Sequence, residues 1–178
     1  QIRHGFRVRN DVVADRTRAI AAANLAGLVL LTAGLASILG GFWTDKWVRR
    51  YGLKIGRCAV VAIALPSSGA VLAAAALLAQ PLAAALLIAL AAGLADLALS
   101  AAWAMCLDVG RDSAGTVTGC MNTFGNIGGA IGPVVMGYAV EQLGSWQVPL
   151  LIAAAIYVLG GLAAVFINPE EPLAHRLS

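Results

Sequence analysis

The sequence predicts an all-α polytopic membrane helix bundle of about five transmembrane helices, on three observations. Of its 178 residues 60% are hydrophobic and 12% charged, with a mean hydropathy of +0.84; a soluble domain carries about 25% charged residues. Asn24 to Trp43 and Cys58 to Ala79 run without a charge, and ~20 apolar residues cross the ~30 Å hydrocarbon core as a helix. Between these runs, Gly41 to Arg50 holds one acid and three bases, which reads as a tight turn at a membrane surface.

A chain this apolar needs lipid as its solvent. The net charge of +3 comes from membrane-flanking Lys and Arg, the orientation signal of membrane proteins, and not from a nucleic-acid patch. Cys58, Cys106 and Cys120 fit no zinc or redox spacing and read as small packing residues. No cofactor is predicted. The chain opens on Gln1 and reads as a piece of a longer protein.

Residues 1–23 read as a basic polar connecting segment, in which Arg3, Arg7, Arg9, Arg16 and Arg18 alternate with Asp11 and Asp15. A short surface helix is predicted near 15–23, and the lone His4 reads as solvated. The transmembrane bundle covers 24–167, with spans at about 24–43, 58–79, 82–107, 114–140 and 148–167. Gln80-Pro81 is a minimal turn, with Pro suited to the first turn of the next helix. Residues 108–113 form a polar loop ending in Ser113, a predicted N-cap, and 141–147 form another. Asn168-Pro169 stops the last helix and opens a tail over 168–178.

Five spans put loops 44–57 and 108–113 and the tail on one side. Lys46, Arg49, Arg50, Lys54, Arg57, Arg111 and Arg176 lie there. The turns at 80–81 and 141–147 carry no Lys or Arg. The positive-inside rule makes the first side cytoplasmic, which predicts a multi-pass protein of the inner or plasma membrane. The five arginines of 1–23 then fall outside, against that rule.

Two spans carry polar groups. Asp96, Ser100 and Trp103 are spaced i, i+4, i+7 and share a helix face. A carboxylate in a span is costly and faces a bundle interior or a watery cavity, so this stripe is a candidate lining for a solute pathway. Interhelical hydrogen bonding by Asp96, with Trp103 as packing, stands beside that reading. In the fourth span Gly115/Gly119, Gly125/Gly129 and Gly128/Gly132 are small residues four apart, a pattern that lets helices approach closely. Asn122 and Asn126 share a face, as substrate contacts or as interhelical glue, and Pro133 predicts a kink. These residues suit either a helix that bends during transport or static packing.

Gly41-x-x-x-Asp45-Lys46-x-x-Arg49-Arg50 resembles a cytoplasmic loop motif of the major facilitator superfamily, in the copy between its eighth and ninth helices. The family pattern has Gly where this chain has Val48. Ala114-Gly115-Thr116-Val117-Thr118-Gly119, then Asn122 to Pro133 and Gly144-Ser145-Trp146, resemble the eleventh helix of its anion:cation symporter branch, which carries sugar acids such as hexuronates. The resemblance covers 40–178 and extends to 24–39. It implies helices eight to twelve of a C-terminal six-helix half, with Gln1–Phe6 ending helix seven.

In sugar-acid members a Ser and a Trp of helix ten and an Asn of helix eleven contact substrate, positions matched by Ser100, Trp103 and Asn122. The resemblance gives Asp96 no role, since the family's proton-coupling acids lie in the N-terminal half. It makes Gly41, Asp45, Lys46, Arg49 and Arg50 a conformational latch: Asp45 would lie against a helix N-terminus of the other half, locked by Arg49 or Arg50. A loop that only sets topology is the simpler reading. The expected function is ion-coupled transport of organic anions by alternating access. Its partners would be an organic anion, a coupling proton or sodium ion, the lipid bilayer and the N-terminal half. Asn126 and Asp96 join the predicted substrate contacts. The rival is a structural five-span module or a non-functional fragment. An intramembrane enzyme built on Asp96 lacks a partnered base, nucleophile or metal set.

Overall fold

The computed structural model describes residues 2–171, with 2–14, 18 and 22 given by backbone alone. Five helices follow in order: α1 (Ile2–Tyr51), α2 (Leu53–Leu77), α3 (Pro81–Gly110), α4 (Ala114–Leu143) and α5 (Gln147–Ala164). A 3₁₀ turn, Arg111–Ser113, joins α3 to α4. No strand occurs among the described residues. Four stretches are long and apolar enough to cross a membrane: Asp15–Tyr51, Leu53–Leu77, Pro81–Leu143 and Gln147–Ala164. The third is α3 and α4 taken together, so the four stretches hold five helices. The predicted all-α membrane bundle is the observed fold.

The helix ends differ from expectation where charge stood in for a break. The charged stretch predicted as a turn, Gly41 to Arg50, is helical, and α1 continues to Tyr51. Gly52 alone makes the break, at φ 86°, where a side chain would be strained. Its N–H donates to the Val48 carbonyl at 3.0 Å, and the Gly56 N–H donates to the Gly52 carbonyl at 3.0 Å. Charges mark where the hydrocarbon slab ends, but Lys and Arg are good helix formers and do not end a helix. The same physics corrects residues 2–23, which continue α1 instead of forming a polar connection. At 50 residues, α1 is about 75 Å long and overhangs the slab.

Pro81 occupies the start of α3 as predicted, after an extended Gln80. Ser113 sits at the α4 N-cap position but makes no capping hydrogen bond. Gly144, at φ 62°, closes α4 by donating its N–H to the Val140 carbonyl at 2.9 Å, a left-handed cap. α5 ends at Ala164, ahead of Pro169. The tail from 172 lies outside the described residues.

α2 is the centre of the bundle and packs on α1, α3 and α5. Cys58, Val60 and Val61 of α2 are buried with Ala101 and Met105 of α3 and Ala164 of α5. Small residues bring the backbones together. A Cβ on Gly40 would lie 2.6 Å from the Leu97 carbonyl oxygen, and one on Gly69 2.7 Å from that of Ala154. α1 and α3 run parallel: Thr32 meets Ala89, and Asp45 and Asp108 share Arg57. α2 and α5 are antiparallel, since Gly69 meets Ala154 while Cys58 meets Ile167. The alternation places the end of α1, the start of α2, the end of α3 and the end of α5 at one pole, where the described bases of the predicted loops gather.

Candidate functional site

Hydroxyl groups fix the rotation of α3. Ser68 of α2, fully buried, donates to the Ala91 carbonyl at 2.6 Å. Thr32 of α1 lies 3.2 Å from the Ala89 carbonyl. Ser100 donates back, with its Oγ 2.9 Å from the Ser37 carbonyl and 3.2 Å from its own helix's Asp96 carbonyl. Such bonds hold helices together where the hydrophobic effect does not. They turn Gly93 toward Thr32 and Ala36 and leave Leu99, Trp103 and Leu107 exposed. Asp96 is half-buried and lines a cleft of about 310 Å³ between α2, α3 and α5, with Val61, Leu65, Ala102 and Tyr157.

The predicted stripe therefore splits. Ser100 turns to α1 and its proton is committed, so its oxygen is available as an acceptor. Asp96 looks toward α5, and Trp103 opens outward. On α4, the Asn126 side-chain amide donates to the Asn122 carbonyl at 2.8 Å, which leaves the Asn126 carbonyl oxygen and the whole Asn122 amide outward; both residues are exposed. No hydrogen bond joins Asp96, Ser100 or Trp103 to Asn122 or Asn126 among the described residues. α3 and α4 meet near their connection, at Cys106–Met121 (3.2 Å between sulfurs) and around Gly110 and Val117. From Asn122 to Ile131 every residue of α4 is exposed. The glycines predicted for packing, Gly115, Gly119, Gly125 and Gly129, have nothing within 4 Å of a built Cβ. A methyl group added at any of them would meet no neighbour in this chain, and α4 stays helical through Pro133.

At the charged pole Arg57 is the organising group. Its Nη1 donates to Asp45 at 2.9 Å and its Nε to Asp108 at 2.8 Å. The guanidinium is 13% exposed, Asp108 25% and Asp45 57%. One cation thus ties α1, α2 and α3. The predicted partners of Asp45, Arg49 and Arg50, are exposed instead; Arg50 stacks 5.6 Å from the Tyr51 ring. They lie one helical turn past Asp45 on its own helix, and Arg57 reaches it across the Gly52 break. Lys46 is exposed and Gly41 half-buried. Sequence reasoning missed Arg57, Asp108, Thr32, Ser37, Ser68 and Tyr157. Hydroxyls inside apolar runs were the available signal for Thr32 and Ser68, whereas Ser37 takes part through its main-chain carbonyl.

Residues 15–178 match the Major Facilitator Superfamily. The chain is 34% identical over 148 residues to a probable sulfoacetate transporter of Cupriavidus necator, covering 83% of this chain and 34% of that protein. It is 33% identical over 141 residues to a hexuronate transporter of Bacillus subtilis, covering 76% of this chain and 33% of that one. A putative uncharacterized protein of Escherichia coli, YjhE, is 27% identical over 67 residues, 38% of this chain and 82% of its own length. No solved structure matches. The chain spans about a third of the length of the two transporters it matches. A match over nearly the whole chain, together with its long apolar helices, makes this a multi-pass membrane protein that belongs to the Major Facilitator Superfamily.

Proposed function

We propose that the chain is the C-terminal portion of a secondary transporter that moves small organic anions, sugar acids or sulfonated acids, by alternating access. The carrying observation is the pair of polar faces on α3 and α4. Ser100, Trp103, Asn122 and Asn126 supply neutral hydrogen-bonding groups on these two helices, and two relatives are transporters named for hexuronate and sulfoacetate. The substrate sits between two halves near the midplane. Ser100 accepts from a substrate hydroxyl, because its proton is held by Ser37; Trp103 and Asn122 donate to carboxylate or sulfonate oxygens. No Lys or Arg lies within 58–107, 114–140 or 148–167, so this portion reads the anion's shape and hydroxyls. The countercharge comes from the rest of the protein.

The exposed α4 face, rich in Gly and Asn, packs on the N-terminal half and slides against it during the cycle. The pole around Arg57 is cytoplasmic by its excess of bases. There Gly41, Asp45, Lys46, Arg49 and Arg50 form the latch, with Asp45 held by Arg57. Transport is driven by a proton or sodium gradient. The test is uptake of radiolabelled hexuronate and sulfoacetate by the full-length protein in proteoliposomes. Uptake of either, with KM raised by Asn122→Ala, supports the reading; transport of neither refutes it.

A further inference from the structure

The basic segment ahead of the first uncharged run is the motif that the proposed pathway and the Arg57 pole leave unused. Arg3, Arg7, Arg9, Arg16 and Arg18 stand there against two acids, Asp11 and Asp15, whereas residues 24–178 hold seven bases and seven acids. The whole net charge of +3 therefore lies in residues 1–23. Local pairing does not cancel it. Asp11 comes four residues after Arg7 and Asp15 three before Arg18, the separations at which helical neighbours pair. Arg3, Arg9 and Arg16 have no acid three or four residues away.

The fold decides where this charge stands. Residues 2–23 continue α1 beyond Asn24, which sets Arg18 about 9 Å and Arg3 about 32 Å past it along the helix axis. From Asp15 to Asn24 every residue whose side chain is described is exposed. α1 runs beside α3, with Thr32 at Ala89. The segment thus leaves the bundle at the pole where α3 begins, at Pro81, and α4 ends, at Leu143. These are the two helices whose polar faces form the proposed pathway. Glu141 is the other charged residue at this pole, one acid against the +3.

Bases on this side run against the positive-inside rule, so the segment does not serve orientation. Anionic lipids that hold polybasic segments belong to the cytoplasmic leaflet, at the opposite pole. A small dissolved anion is the partner that remains, and it needs no fitted pocket: a field of one sign raises its local concentration.

We propose that residues 1–23 are an electrostatic collector for the transported anion, raising its concentration at the outer mouth of the pathway without holding it in a fixed pose. The inference rests on the organic-anion reading and the orientation given above. Enrichment follows the Boltzmann factor of the anion's charge in the local potential. A potential of about 1 kT per elementary charge enriches a monoanion about threefold and a dianion about ninefold, the square. Hexuronate carries one carboxylate, and sulfoacetate a carboxylate and a sulfonate. The collector therefore favours the doubly charged anion, a selectivity set outside the binding site. The Debye length is ~30 Å at 0.01 M salt and ~8 Å at 0.15 M, so the field spans the segment in dilute medium and fades as salt rises.

Initial uptake by cells producing the full-length protein tests it, with external ionic strength varied and osmolarity held by sucrose. One variant carries Arg3→Gln, Arg7→Gln, Arg9→Gln, Arg16→Gln and Arg18→Gln together. At about 10 mM ionic strength its KM is expected to rise about threefold for labelled hexuronate and about ninefold for sulfoacetate, with Vmax unchanged. At about 0.5 M it should match wild type. Lysine at the same five positions keeps the charge and should keep the wild-type KM. Asp11→Asn with Asp15→Asn takes the segment from +3 to +5 and should lower KM in dilute medium, a readout that stands even where the glutamine variant fails to reach the membrane. Unchanged KM in dilute medium in the glutamine or the asparagine variant overturns the proposal. A KM rise equal for the two anions, persisting at high ionic strength or shared by the lysine variant overturns it too, because each marks a direct contact or a structural effect. Wild type that takes up neither anion defeats the functional reading instead, whereas uptake that ignores these substitutions defeats the collector alone.

Discussion

α2 and α4 are both long apolar helices with glycines and an internal proline, Pro66 in one and Pro133 in the other. In α2 ten residues are buried; in α4 none is. The glycines follow suit. A Cβ on Gly56 would fall 2.5 Å from the Val48 nitrogen, and Pro66 fills the space a Cβ on Gly161 would need. Seven α4 glycines, from Gly115 to Gly137, look into open space. Glycine thus serves two ends. In α2 it closes interhelical gaps within this chain. In α4 it leaves a smooth polar-and-small face whose neighbour, on the proposed function, is substrate or the other half of the transporter.

The contrast can be broken by adding methyl groups. Gly40→Val places a branched side chain against the α3 backbone at Leu97 and is expected to cost about 3 kcal/mol or more. The readout is thermal unfolding of the full-length protein in detergent. Gly129→Ala meets nothing in this chain, so the helix-propensity gain of about 0.5–1 kcal/mol should appear as unchanged or raised thermal stability. Its transport rate should fall, because the methyl intrudes on the sliding face. Equal destabilisation by the two would erase the distinction.

The charged pole offers the next test. Arg57→Ala leaves Asp45 and Asp108 facing each other without their shared cation and should cost about 2 kcal/mol. Arg50→Ala, on an exposed side chain, should fall within about 0.5 kcal/mol. The comparison is read by thermal unfolding at low and high salt.

The number and order of the helices were legible in the sequence because uncharged runs have the length that a bilayer demands. Turns were legible where a residue itself forces the chain, as Pro81 does at the start of α3. Helix ends were not, since charge reports water and not backbone geometry. The break is at Gly52, and Val48, where the family pattern has Gly, sits inside α1 with its carbonyl bonded to Gly52. The site was half legible. Helical spacing placed Asp96, Ser100 and Trp103 on one side of α3, but not the hydroxyl bonds that turn Ser100 to Ser37. The pairing of Asp45 with Arg57 joins residues 12 apart across a break, a geometry that spacing along one helix does not encode.

The smallest effect belongs to Thr44, fully buried with its hydroxyl unpartnered. Thr44→Val removes an unsatisfied polar atom at nearly constant shape, so stability should hold or rise by up to about 1 kcal/mol. A loss of more than that in thermal unfolding would mean that the hydroxyl has a partner in the full-length protein.

The most direct test of the account is anion uptake by the full-length protein carrying Asn122→Ala or Ser100→Ala, with KM and unfolding temperature measured side by side. Asn122 is exposed and makes no side-chain hydrogen bond among the described residues, so Asn122→Ala should leave stability unchanged and raise KM about tenfold or more, the worth of one hydrogen bond to a charged group. Ser100→Ala should raise KM and also lower stability by about 1 kcal/mol, through the lost bond to Ser37. Unchanged KM in both would contradict the assignment of the α3 and α4 faces to the transport pathway.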